Sequence, residues 1–128
     1  MKLIITPCPK PRMTRSDKWK KRPAVLKYFA FCDELRMLCA GRYEIGDEVY
    51  LKFHIKTPDS WSVKKKLAML GKPHQQKPDC DNMIKAFCDA LSKEDSNIHT
   101  MFAKKVWASM GMIEILDKKS IQAELNLL

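Results

Sequence analysis

The segment from Lys77 to Ile98, KPDCDNMIKAFCDALSKEDSNI, holds the residues best suited to chemistry. Asp79 and Asp81 stand two apart, just after a proline that biases the chain near Lys77 toward extension. In an extended segment, side chains two apart point the same way, so both carboxylates can address one point. Lys85 follows Asp81 by four residues and Asp89 follows Lys85 by four, which on a helix gives them one polar face. Glu94 and Asp95 form an acidic pair ahead of the next strand. If that strand pairs near the helix start, Asp95 returns toward Asp79 and Asp81. Three carboxylates without a thiolate or histidine make a hard, oxygen-lined site, which suits Mg²⁺ or Mn²⁺ rather than zinc. A lysine beside them places positive charge where negative charge builds on a phosphoryl group. The combination points to metal-assisted phosphodiester hydrolysis. A plainer reading stands beside it: a D-x-D before a helix also serves as cap and dipole complement, and Lys85 with Asp89 also makes an ordinary surface pair.

Several elements must position these groups. Ile84, Phe87, Cys88 and Leu91 gather on one face of a helix running from about Asn82 to Leu91, with Asp81 or Asn82 at its N-cap. Upstream, Val49, Leu51, Phe53 and Ile55 alternate with Tyr50, Lys52, His54 and Lys56 in a strand over 46–57. His54 reads as a surface strand residue. Ser60 is placed to cap a short helix over 61–70, ended by Gly71 and Pro73. Pro23 opens an earlier helix whose Leu26, Phe29, Cys32, Leu35 and Cys39 keep helical spacing up to Gly41. Residues 2–6 read as a short strand. Residues 98–108 and 112–117 read as two strands turned into a hairpin around Ser109–Gly111. The last eleven residues, 118–128, fit a strand tail or a loose helix equally. The order β-α-β-α-α-β-β predicts an α+β fold with a mixed sheet, and the length predicts one domain over 1–128.

The chain carries 24 Lys and Arg against 15 Asp and Glu, a formal net charge of +9. That balance favours an acidic partner, with nucleic acid ahead of an anionic membrane. Eight of the basic residues lie between 10 and 27 against one acid, Asp17, and five lysines lie between Trp61 and Lys77 with none. Five cysteines with no C-x-x-C pair fit neither a disulfide framework nor a zinc ribbon, and imply reduced thiols in a cytoplasm. Nothing in the sequence reads as a signal peptide or a membrane span.

The central motif resembles the RusA family of Holliday junction resolvases. KPDCDNMIKAFCDAL followed by EDSNI is similar to that family's D-x-D-N-x-x-K-x-x-x-D-A-L helix start and acidic turn. SWSVKKKLAMLGKPHQQ resembles the basic helix and linker leading into it. PCPKPRMTRSDKW resembles the family's N-terminal segment, and KKVWASMGMIEI its closing hairpin. The resemblance implies a homodimer that binds four-way DNA junctions and cuts two strands symmetrically, dependent on Mg²⁺ or Mn²⁺ and on no small-molecule cofactor. It implies Asp79 and Asp81 as metal ligands, Asp95 as the third acid and Lys85 as the essential lysine. Asn82 and Asp89 match the motif in structural roles. The turn after DAL is short, with only Ser92 and Lys93 before the acidic pair; Asp95 is preferred over Glu94 because DSNI matches the residues leading into the strand.

Junction recognition rests on shape, so phosphate contacts should dominate. The expected contacts are Lys64, Lys65, Lys66, Lys72 and Lys77, then Arg12 and Arg15. Trp19, Trp61 and Trp107 read as packing anchors rather than base-stacking platforms. Two alternatives share the charge pattern. One is a non-catalytic basic DNA-binding module. The other is a PD-(D/E)xK-type nuclease using Asp79 with Asp117 and Lys119.

Overall fold

A computed structural model describes residues 1–15 and 22–126. The predicted alternation produces the central strand β2 (Glu48–Lys56), with Val49, Leu51 and Phe53 buried on one face. Strand β3 (Thr100–Ala108) runs parallel to β2 on one side, and β4 (Met112–Ile115) runs antiparallel to it on the other. The short β1 (Lys2–Leu3) pairs antiparallel with β4, so the mixed sheet has the order β1-β4-β2-β3.

The hairpin expected around Ser109–Gly111 does not form. β3 and β4 lie on opposite sides of β2, and the connection passes from one side to the other. Two strand spacings are about 10 Å, within reach of three linking residues. Gly111 suits this crossing because a Cβ there would stand 3.0 Å from the Cα of Thr6. Sequence adjacency suggested pairing, but β2, with Val49, Leu51 and Phe53 all buried, takes the central place between them.

Helix α1 (Pro23–Cys39) and helix α3 (Cys80–Leu91) cover the inner sheet face. Pro23 opens α1, and Gly41, with φ of 70°, follows its end in the left-handed region. α1 packs through Val25, Tyr28, Phe31, Cys32, Leu35 and Cys39, while the expected Leu26 and Phe29 are largely exposed. Cys32, Leu35 and Cys39 are buried as their spacing predicted; apolar residues surround the first two turns, so spacing alone misread that part. α3 buries Ile84, Phe87 and Cys88 as its periodicity required, and Met83 in addition; Leu91 is half-buried. Met83 and Phe87 are fully buried and join Leu51 and Phe53 in one core cluster. Each such side chain contributes about 1.5–3 kcal/mol by leaving water.

Helix α2 (Val63–Met69) is capped by Ser62, whose Oγ accepts a hydrogen bond from Lys65 N at 3.2 Å, not by Ser60. It buries none of its residues. Residues 71–74 return along the free edge of β3 through Gly71 N to Trp107 O, Trp107 N to Lys72 O and His74 N to Lys105 O. Trp107 is buried there, with Trp61 at 4.7 Å and His74 at 4.3 Å between ring centres. Trp61 and Trp107 are therefore packing anchors; Trp19 lies outside the described residues, as does part of the basic stretch 10–22. Among the described residues no helix is long and apolar enough to cross a membrane.

The tail forms helix α4 (Lys118–Asn126), which settles the open choice for 118–128 over the described part. It lies on the outer sheet face. Lys52 and Lys104 are opposed across β2 and β3, a like-charge pair that destabilises unless neutralised. Glu124 of α4 accepts from both, at 2.9 and 3.0 Å. On the same face Nε2 of His54 stands 3.1 Å from Glu114, so His54 is paired and partly covered rather than a free surface residue.

The bond from Lys52, aided by Lys104, holds the Glu124 carboxyl below its usual range against the opposing effect of burial. A depressed folded value means the stabilisation is present above the ordinary carboxyl range and is lost as pH falls through the folded value. Glu124→Gln should therefore cost about 1–3 kcal/mol at neutral pH. The gap in melting temperature between parent and variant should narrow as pH drops from about 7 to about 3. An unchanging gap across that range would contradict the ion-pair account.

Candidate active site

α3 begins two residues earlier than its periodicity suggested, because Cys80 and Asp81 are already helical. Asp79 rather than Asp81 or Asn82 is the N-cap residue, with extended backbone at φ −70° and ψ 145°. The strand-like argument for parallel carboxylates does not apply, since Asp81 sits in the first helical turn. Both acids instead occupy the N-terminal end of α3, where unpaired backbone N–H groups and the helix dipole favour negative charge.

Asp79 makes no side-chain capping bond. Neither its carboxylate nor that of Asp81 has a hydrogen-bond or ion-pair partner among the described residues, and both residues are exposed. The plain capping role would have engaged Asp79 with its own helix. Two unengaged carboxylates in a strongly basic chain are instead available to a ligand.

The chain ahead of α3 is held from the sheet. The Lys77–Pro78 peptide is cis. Lys105 of β3 donates from Nζ to Gln76 O and to Pro78 O, each at 2.7 Å. Cys80 is half-buried beside this contact; burial pushes its thiol up, against the opposing effect of Lys105. Lys105 went unnoticed in the sequence, where it reads as one half of a plain basic pair.

The N-terminal segment crosses the same helix. Lys10 N donates to Asn82 O at 3.2 Å, and Lys10 Nζ lies 2.5 Å from Asp89 Oδ2. Lys85, the expected partner of Asp89, stands at 4.0 Å and is more than half exposed. Asp89 is thus structural, as its motif position implied, but it serves the N-terminal segment first. This frees most of the Lys85 ammonium for a ligand.

The crossing leaves a cleft of about 590 Å³ lined by Lys10, Lys27, Lys77, Asp79 and Asn82 with three prolines. A neighbouring cleft of about 380 Å³ shares Lys10 and Asn82 and is lined also by Arg12 and Lys85. Acid and base therefore face common space at the start of α3. Lys64, Lys65, Lys72 and Lys77 are exposed and Lys66 is half-exposed, with Lys65 lying 4.3 Å over the Trp61 ring. None of the five makes an ion pair among the described residues. Arg15 is exposed at the last described position of the N-terminal segment.

Asp95 opens a single 3-10 turn, Asp95–Asn97, and is exposed. Glu94 is engaged locally, accepting from Ser96 Oγ at 2.8 Å. Asp95 is near enough to the later turns of α3 to help raise the Cys88 thiol to about 11, after burial and Asp89. The expected convergence of three acids is not preformed: among the described residues no three His, Cys, Asp or Glu side chains form a group able to hold a metal ion. The donor chemistry of the Asp79–Asp81 end still fits a hard cation. Magnesium is commonly bound by one or two carboxylates with water and phosphate, without an all-protein cage.

Asp117 and Lys119 give the PD-(D/E)xK alternative no common site with Asp79. Asp117 Oδ1 accepts from Ser120 N at 2.8 Å, capping α4, and that bond holds its carboxyl low. α4 lies across the sheet from α3.

Comparison with known proteins gives no significant match to any curated protein and none to any solved structure. The profile of the family described as endodeoxyribonuclease RusA matches residues 6–116, which include the acidic helix start, the crossing N-terminal segment and all four strands except β1. With most of its length matched, the chain belongs to the RusA family of endodeoxyribonucleases, the junction-resolving family its central motif resembles.

Proposed function

We propose that the protein is a structure-selective, divalent-metal-dependent endodeoxyribonuclease that resolves four-way DNA junctions. In this reading it acts as a homodimer, cutting two strands symmetrically during recombination or repair in the cytoplasm of a bacterial or phage-infected cell. The single observation that carries the reading is the pair of unengaged, exposed carboxylates, Asp79 and Asp81, at the start of α3 in a RusA-family chain, with Asp79 lining a cleft shared with Lys10, Lys27 and Lys77.

Asp79 and Asp81 would hold the ion, Mg²⁺ or Mn²⁺. A bound divalent ion supplies charge neutralisation at the phosphate and a more acidic water. Hydrolysis forms a bond from a water oxygen to phosphorus and breaks one ester P–O bond, with the departing oxygen taking a proton. Lys85, at the same end of α3, places its ammonium beside the phosphate as that negative charge grows. Asp95 is the third acid by its motif position. Its short exposed turn buries no residue, which leaves it free to close on the pair once substrate is bound.

Lys64, Lys65, Lys66, Lys72 and Lys77 lead into the site and are proposed to track the phosphate backbone, followed by Arg12 and Arg15. Arg12 has a specific place in this scheme, in the cleft that also contains Lys85.

Asp81→Asn should abolish junction cutting in Mg²⁺ while keeping junction affinity or raising it, because a like-sign repulsion with phosphate is removed. Cutting at the parental rate would refute the site assignment. Binding without nicking by the parental protein, in Mg²⁺ and Mn²⁺ alike, would favour the non-catalytic alternative. Lys64→Ala should weaken binding to junctions of any sequence and reduce the salt slope by about 1. A salt titration with unchanged slope would remove Lys64 from the interface.

A further inference from the structure

Lys104 and Lys105 are neighbours in sequence with opposite destinations. Lys104 reaches the outer sheet face and Glu124. Lys105 is in register with Phe53 on the helix-covered face. There its ammonium meets no carboxylate among the described residues; both described bonds go to the main chain, to Gln76 O and Pro78 O. Lengths of 2.7 Å are those of charge-assisted hydrogen bonds.

The segment receiving these bonds has little else to hold it. Residues 71–74 are laced to β3 by backbone hydrogen bonds, and the lacing stops at His74. Residues 75–78 make no backbone–backbone hydrogen bond among the described residues, and order resumes where Met83 N bonds to Asp79 O in α3. Lys105 spans this gap from a strand that is fixed along both edges. The carbonyl it holds on Pro78 is directly attached to the residue that presents the first carboxylate of the site.

We propose that Lys105 is a positioning residue for the nuclease reaction: it anchors Gln76–Pro78 to the sheet so that Asp79 and Asp81 are presented at a fixed place. An ammonium carries three donors. Two are used on carbonyls, so the anchor acts on the main chain immediately ahead of the acidic pair. The inference rests on the nuclease reading for its consequence and on geometry alone for the anchoring.

The test compares parent, Lys105→Met and Lys105→Arg in three measurements. Backbone amide ¹⁵N order parameters of residues 75–77 and 79, taken without metal or DNA, should fall in the Met variant from about 0.85 to below about 0.6. Turnover of saturating four-way junction in Mg²⁺ should fall by about a hundredfold, as expected for loss of two charge-assisted bonds. Junction affinity without metal should stay within about threefold, a change too small to count as a lost charge contact. The Arg variant should recover the order parameters and most of the turnover, because it keeps a charged donor. Unchanged order parameters in the Met variant would overturn the anchoring. Turnover within twofold of the parent, or affinity lost in step with turnover, would overturn the positioning role. The order parameters need no activity, so a parental protein that cuts no junction would sink the nuclease reading separately.

Discussion

The burial of one face of α3 against α1 and the sheet governs the placement of the acidic helix start. Met83 and Phe87 share one buried cluster with Leu51 and Phe53, and that burial fixes the helix in rotation as well as position. With those side chains facing inward, the exposed Asp81 and Lys85 are left to solvent. The chemistry is thus a by-product of which residues are hydrophobic. A helix that rolled on the sheet would lose its core contacts before it could misdirect its charges.

Around that helix the protein uses cations in two distinct ways. Lys10, Lys52, Lys104 and Lys105 are structural, each with its ammonium tied to a carboxylate or a carbonyl. Lys64, Lys66, Lys72 and Lys77 carry no ion pair among the described residues, and Lys85 has one at the outer limit of contact. A net charge of +9 does not distinguish these groups. The partition matters because only the second set is free to release counterions on meeting a phosphate chain.

What could be read from the sequence was whatever a single element determines. The alternation in β2 and the apolar face of α3 follow from periodicities of two and 3.6, and both were legible. The D-x-D-N-x-x-K spacing was legible too, since it lies within two turns of one helix start. Long-range pairing was not. Nothing local says that β4 prefers β2 over β3, so the hairpin expectation failed. In α1 the expected Cys32, Leu35 and Cys39 are buried, but the first two turns were misread because Leu26 and Phe29 are as apolar as the Val25 and Tyr28 that were buried. The return of Asp95 toward the helix start depended on the same missing information, and among the described residues the three acids form no ready-made group. Lys105 was invisible for a related reason: its partners are carbonyls, which no side-chain pattern reports.

The two lysines at the middle of β3 also make the length of that strand a matter of parity. Consecutive strand side chains face opposite ways, so loss of one residue between Thr100 and Lys104 would exchange the destinations of everything after it. Lys105 would turn outward to the place beside Lys52 and Glu124, and Val106 would take its former place, leaving the loop before Asp79 without its anchor. Loss of two residues would restore the alternation. Divergence in this strand is therefore channelled into substitutions and into changes of even length, a constraint that applies even where the side chains concerned touch neither metal nor DNA.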